Sequence, residues 1–151
     1  MGVLGVRRTE QGTPGALTPA ALRVLEFTRH TYLAILATVY PSGGPQPFPV
    51  WYEYDGSTFN LTTDAGAAKV RNIRHNPNVA LCITDTTRQV RSLTVRGYAE
   101  VIHDDQAAQQ LHRQLSIRYL GEQEGQEWAD SMAAEEMVIV RITPEHFLWT
   151  G

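Results

Sequence analysis

A single cysteine, Cys82, excludes an internal disulfide and any cysteine-based metal cluster. It sits in an apolar run, as a small core residue would, and its isolation fits a reducing, cytoplasmic setting. Long apolar runs are also missing: none reaches the roughly 18 residues of a membrane span, so no membrane partner is expected. The opening "MGVLGVRRTEQGTPG" lacks the charged-then-apolar order of a secretory signal, and Val6 does not suit myristoylation. Residues 1–15 are read as a mobile arm and residues 16–151 as one domain. Positive charge is not in excess. With 13 basic and 16 acidic residues the net charge is −3, which argues against binding nucleic acid by bulk charge. The five histidines show no ligand spacing, so no metal is expected. Ser42 lacks the context of a nucleophile elbow, and no phosphate-loop glycine fingerprint occurs.

What is present is a 151-residue chain with 42% apolar and 19% charged residues, enough for one packed core. Thr18 and Pro19 open a helix over 18–30, with Leu22, Leu25 and Thr28 on one face and Val24 and Phe27 beside it. Residues 33–39 form a continuous apolar run, which suits a strand buried on both faces. A second strand covers 46–54. Pro45, Pro47 and Pro49 alternate at its start and place it at an edge or bulge. Asp55-Gly56 turns the chain into a third strand, 58–63, giving an antiparallel meander. A short helix follows at 67–75, then strands at 79–84 and 92–103, the latter with a bulge at Gly97. Asp104 and Asp105 cap a helix striped by Leu111, Leu115 and Tyr119, and a second helix covers 122–133. A final strand runs over 137–149 and bends at Pro144. The class is α+β, mainly β, with six antiparallel strands closed into a small barrel and peripheral helices.

The segment "FNLTTDAGAAKVRNIRHNPNVAL", residues 59–81, carries more anion-friendly groups than a connector needs. If its strand runs directly into its helix, the helix N-terminus presents unpaired N–H groups and positive dipole. Thr62 and Thr63 offer hydroxyls, Ala65 to Ala68 let an anion approach the backbone, and Lys69 adds a full charge. Asn72 lies one turn on, on the same face. By residue pattern alone, a solvated helix face accounts for the same residues. Trp51, Tyr52 and Tyr54 read either as a ring-stacking surface or as core and dimer contacts.

The order "LAILATVYPSGGPQPFPVWYEYDG", "FNLTTDAGAAKVRNIRHNPNVAL", "SLTVRGYAEV" and "VIVRITPEHFLW" resembles the pyridoxamine-phosphate-oxidase-like split β-barrel superfamily, and within it the branch that uses the deazaflavin coenzyme F420. Lys69, Arg71, Asn72 and Pro77 carry the most specific part of the likeness, which spans about residues 18–150. The resemblance implies a homodimer with cofactor sites between subunits and a small-molecule substrate. It implies that Thr62, Thr63, Lys69 and Asn72 hold the cofactor phosphate, with Arg71 at the rim to meet an anionic tail. Gln46, Pro49, Val50 and Trp51 would lie along the tricyclic ring, and Arg96 and Trp149 would line the site in their own chain or from the partner. Relatives usually carry arginine two residues before the lysine, where this chain has Ala67. The implied activity is hydride transfer between F420 and a small organic substrate, with solvent or Tyr52 as proton donor. FMN in place of F420, or a non-catalytic flavin- or haem-binding protein, are the alternatives.

Overall fold

The computed structural model describes residues 3–4, 17–87 and 91–151. The expected arm lies outside them except for Val3–Leu4 (β1), which pairs with Leu148 and Phe147. The tip of the 86–90 loop also lies outside them.

Helix α1 (Pro19–Thr28) starts where Thr18 accepts a hydrogen bond from the Ala21 N–H at 3.1 Å, with proline in the first turn. Its buried face is Ala21, Val24, Phe27 and Thr28, rotated from the expected stripe. Leu22 is left 53% exposed, because the barrel opening below accepts Phe27 among Tyr32, Trp149 and the core.

Seven strands besides β1 form one antiparallel sheet: β2 (Ala34–Val39), β3 (Pro45–Val50), β4 (Glu53–Tyr54), β5 (Phe59–Asp64), β6 (Asn78–Asp85), β7 (Arg91–Ile102) and β8 (Met137–Thr150). Their order is β3-β2-β6-β7-β8-β5-β4. The two ends of that order, β3 and β4, are halves of the one predicted strand, interrupted at Trp51-Tyr52. The chain thus passes from one edge to the other, and the sheet curls into a split barrel. The expected meander holds only at these ends. β2 pairs with β3 and β4 with β5, while β5 finds its long partnership with β8, from Phe59 opposite Ile142 to Asp64 opposite Met137. β3 is an edge, as its prolines require: alternate residues lack N–H on the same, unpaired side.

The interior is filled by Leu36, Tyr52, Phe59, Leu61, Leu81, Ile83, Leu93, Val95 and Ile142. Burial of these side chains is the main stabilising term. Helix α2 (Ala68–His75) closes one end of the barrel with Val70, Asn72 and Ile73. Helix α3 (Asp105–Leu120), capped by Asp104, lays Ala108, Leu111 and Leu115 on Met137 and Ile139, on the outer surface of the sheet. Helix α4 (Glu122–Ser131) turns back along α3 through Gly121 at φ 90°.

Gly125 sits where α4 meets α3. A Cβ there would overlap the Ile117 backbone and come 2.7 Å from the Ser116 carbonyl carbon. Gly125→Ala is therefore expected to push α4 away, costing about 2 kcal/mol and lowering Tm by roughly 4–8 °C in a thermal melt.

Among the described residues, no helix lies over the other part of the outer surface. The register sets Pro49, Ile35, Cys82 and Thr94 in one row and Pro47, Ala37, Ala80 and Arg96 in the next. Ile35 is 36% exposed, so β2 is buried on one face and not on both as its apolar run implied.

Candidate functional site

The strand-to-helix junction read from the sequence is formed as a short turn. β5 ends at Asp64, the Ala65 N–H donates to the Glu136 carbonyl, and α2 begins four residues later. Ala67 at the N-cap offers no side-chain cap, so the first-turn N–H groups of α2 have no side-chain acceptor. Beside this junction lies a cavity of about 250 Å³ lined by Pro49, Val50, Trp51, Thr62, Thr63, Asp64 and Lys69. Six of the eleven expected cofactor residues meet there.

Lys69 points into this space. Its Nζ donates to Thr63 Oγ1 at 3.1 Å and stands 5.0 Å from the Phe48 ring centroid. Burial pushes the amine below its ordinary pKa, and the nearby Asp64 carboxylate partly opposes that. The sequence contains no other lysine. Asp64 is exposed at the rim, where it works against an incoming anion.

Three further expected residues sit just behind or beside the cavity. Asn72 is buried and donates through Nδ2 to Thr38 Oγ1 at 3.0 Å and to Gln46 Oε1 at 3.5 Å. These bonds tie α2 to β2 and β3 and hold Lys69's helix at a fixed height. Arg71 is exposed, and its Nη1 donates to the Gly66 carbonyl at 2.5 Å, bracing the turn.

Arg96 and Trp149 are not brought to this cavity within the chain. Arg96 projects from the uncovered face, between Ala80 and His146. Trp149 lies under Arg23, 4.2 Å from the guanidinium carbon to the ring centroid, and meets Phe27 edge-on at 5.3 Å. It lines a separate cavity of about 360 Å³ with Arg23, Arg29, His30 and Arg91.

Tyr52 is corrected as a proton donor. It is 0% exposed, packed against Phe59 inside the barrel, and burial pushes its phenol far above the ordinary value. Trp51, one residue earlier, turns outward and stacks on Tyr119 of α3 at 5.3 Å and 10°.

The sequence reading did not place His112, Leu115, Trp128, Met132 and Met137 in the wall. Leu115, Trp128, Met132 and Met137 make the apolar part of the lining, and Trp128 stands 45% exposed in it. The Leu111–Leu115–Tyr119 stripe was a signal for the helix, but which of its faces would meet the junction depends on how α3 docks. His112 Nδ1 lies 3.4 Å from Thr62 Oγ1. Among the described residues, no group of three or more His, Cys, Asp or Glu side chains converges as a metal site.

Comparison with known proteins places this architecture. The profile of the pyridoxamine 5'-phosphate oxidase family matches residues 22–149. No curated protein matches the chain. Among solved structures, the conserved hypothetical protein Rv2991 from Mycobacterium tuberculosis is 27% identical, with a TM-score of 0.71, covering 93% of this chain and 89% of that one. A structure named as an F420 reductase is 29% identical, with a TM-score of 0.66, covering 82% and 94%. The haem storage protein HutZ from Vibrio cholerae shares the fold at 20% identity and a TM-score of 0.65, over 85% and 93% of the two chains. With a match across most of its length and a curled antiparallel barrel of the same kind, the chain belongs to the pyridoxamine 5'-phosphate oxidase-like split-barrel family.

Proposed function

We propose that the protein is an F420-dependent oxidoreductase that acts on a small conjugated organic substrate and works as a homodimer in the cytoplasm. The observation that carries this reading is the two-sided cavity. A half-buried lysine with two threonine hydroxyls stands at a helix N-terminus, facing a wall of Trp51, Leu115, Trp128, Met132 and Met137. A ring cofactor with a phosphate has the same two-sided chemistry, and the 29% identical F420 reductase supports the choice of deazaflavin.

The residues fit such a group. Lys69, Thr62 and Thr63 would take the phosphate oxygens together with the first N–H groups of α2. Pro49 and Val50, at the end of the edge strand β3, and Trp51, in the break before β4, would lie along the ring, with Gln46 and Asn72 fixing them from behind. Arg71 would move to the rim to meet an anionic tail. Bound there, reduced F420 supplies a hydride from its central ring carbon. The chain's part is to hold ring and substrate in contact and to exclude water with the α3–α4 roof. With Tyr52 buried, the substrate's proton comes from solvent.

The dimer explains two features. A 250 Å³ cavity is small beside the roughly 300–1,000 Å³ of usual ligand sites, so one chain forms part of the wall. The uncovered rows beginning at Pro49 and Pro47 adjoin that cavity and carry Arg96, so a second copy seated on them would bring Arg96 to the opposite cofactor. Titrating the purified protein separately with F420, FMN and haem, with solution mass measured alongside, tests the reading. Expected are tightest binding of F420 and the mass of two chains. Tighter FMN binding would move the assignment to an FMN enzyme. Binding of haem alone, without turnover of any reduced cofactor, would replace it with a carrier.

A further inference from the structure

His112 does little for the fold that an apolar side chain would not do better. It is 7% exposed, and its Nε2 is buried without a hydrogen-bond partner, a costly arrangement for a ring nitrogen. Its one polar contact is Nδ1 with Thr62 Oγ1, at 3.4 Å, on the wall of the cavity. That contact has two forms with different consequences. With the ring neutral and Nδ1 an acceptor, the Thr62 hydroxyl gives its hydrogen to the ring and has none for a ligand. With the ring protonated, or neutral with its hydrogen on Nδ1, Nδ1–H donates to Thr62 Oγ1 and the hydroxyl hydrogen is turned toward the cavity; protonation removes the accepting form and leaves only this one.

The charges around the ring come from several elements. On β5, Asp64 favours the imidazolium. On α3 itself, Arg113 disfavours it, although its guanidinium is engaged by Asp130 of α4 at 2.7 Å. On α2, Lys69 stands across the cavity and also disfavours a second positive charge. From β8, from α4 and from the residue just after α4 the wall takes Met137, Trp128 and Met132, none of them charged. Burial outweighs the help from Asp64 and holds the imidazole below its ordinary pKa. An oxyanion beside Thr62 and Lys69 adds the negative charge that the ring lacks.

We propose that His112 is a positioning residue of the anion cradle: its protonation turns the Thr62 hydroxyl onto a bound oxyanion, so oxyanion affinity rises as the pH falls through the His112 titration. This rests on the reading of the junction as an oxyanion site. By reciprocity, a bound oxyanion must raise the His112 titration midpoint by the same free energy.

The test uses the full chain without cofactor and inorganic sulfate as the probe, because sulfate stays a dianion while histidine titrates. The His112 ring signals are followed by NMR between about pH 4 and 8, in sulfate and in chloride at equal ionic strength. Sulfate is expected to raise the His112 midpoint by about 0.5–1 unit, which means about 3- to 10-fold tighter binding to the imidazolium form. Thr62→Val is expected to remove most of that shift while His112 still titrates. His112→Gln is expected to leave sulfate affinity flat over the same range. If sulfate binds in a Lys69-dependent way and the His112 midpoint stays put, the proposal is overturned and the oxyanion site stands. An equal shift in Thr62→Val also overturns it, because a through-space charge effect would then be enough. If sulfate at tens of millimolar disturbs neither Lys69 nor His112, the oxyanion site itself is wrong and the proposal goes with it.

Discussion

Lys69→Ala is expected to weaken F420 binding by about 10- to 100-fold while leaving Tm nearly unchanged. The loss follows from the charge-assisted hydrogen bonds to phosphate, worth about 1.5–3 kcal/mol together. Stability is spared because Lys69 makes one side-chain hydrogen bond, to Thr63, and carries a burial cost of its own. Removing it relieves that cost and leaves a hydroxyl that water can reach. Arginine is not expected to restore the site: its planar fork is wider than an ammonium and must desolvate beside Phe48 and Thr63. The pH dependence has a definite sign. Burial lowers the lysine's pKa in the empty protein, and a bound anion raises it, so affinity is full below the Lys69 titration and falls as the pH rises through it. Because the chain has no second lysine, reductive methylation adds one side-chain dimethylamine signal besides that of the terminal amine, and its NMR shift reports both protonation and occupancy. An affinity for F420 within about twofold of the unaltered protein in Lys69→Ala would remove the phosphate from this junction.

What the sequence made legible was local chemistry. Thr18-Pro19 starts a helix because cap and first-turn geometry are set by two adjacent residues, and the helix begins there. The prolines of β3 predict an edge because a missing N–H can be tolerated only there. That Lys69 and Thr63 come within hydrogen-bond distance follows from a strand-to-helix turn of three residues, which leaves little freedom in where they point. What was not legible was set by distant partners. Nothing near Phe59 tells β5 to make its longer pairing with β8 and to keep only two residue pairs with β4. That choice depends on the interruption at Trp51-Tyr52, which carries the chain across the barrel.

The same limit explains the errors of facing. The α1 stripe was assigned by period alone, yet leucine and valine fit equally well, and the barrel opening selected Val24 and Phe27 over Leu22. The run at 33–39 was read as covered on both faces. Its apolar outer side is real, but none of the described elements covers Ile35. His112 was set aside for want of ligand spacing, which detects histidines that share a metal. A histidine that works through a threonine fifty residues away leaves no spacing at all.

Gly97→Ala is expected to be the most damaging small substitution in the barrel. The register between β7 and β8 slips at this point: Arg96 faces His146 and Gly97 faces Pro144, which leaves Glu145 as an extra residue on β8. The bulge brings the Thr143 backbone onto Gly97. A Cβ there would overlap the Thr143 carbonyl oxygen and lie 3.0 Å from its carbonyl carbon and 3.1 Å from Pro144 Cα. None of these is a flexible side-chain end, so relief requires one strand to move away from the other. β7 and β8 form the longest pairing in the sheet, eleven residue pairs, and both also hold their other neighbours in register. The cost is about 3 kcal/mol or more, a fall in Tm of roughly 6–12 °C or failure to fold. Gly66→Ala is the control. Gly66 lies in the turn before α2, and a Cβ there meets nothing within 4 Å, so its Tm is expected to stay within about 2 °C. Equal melting of the two variants would mean that the glycine at 97 reflects no close approach. The bulge would then not be what aims Arg96, one residue earlier, out of the uncovered face.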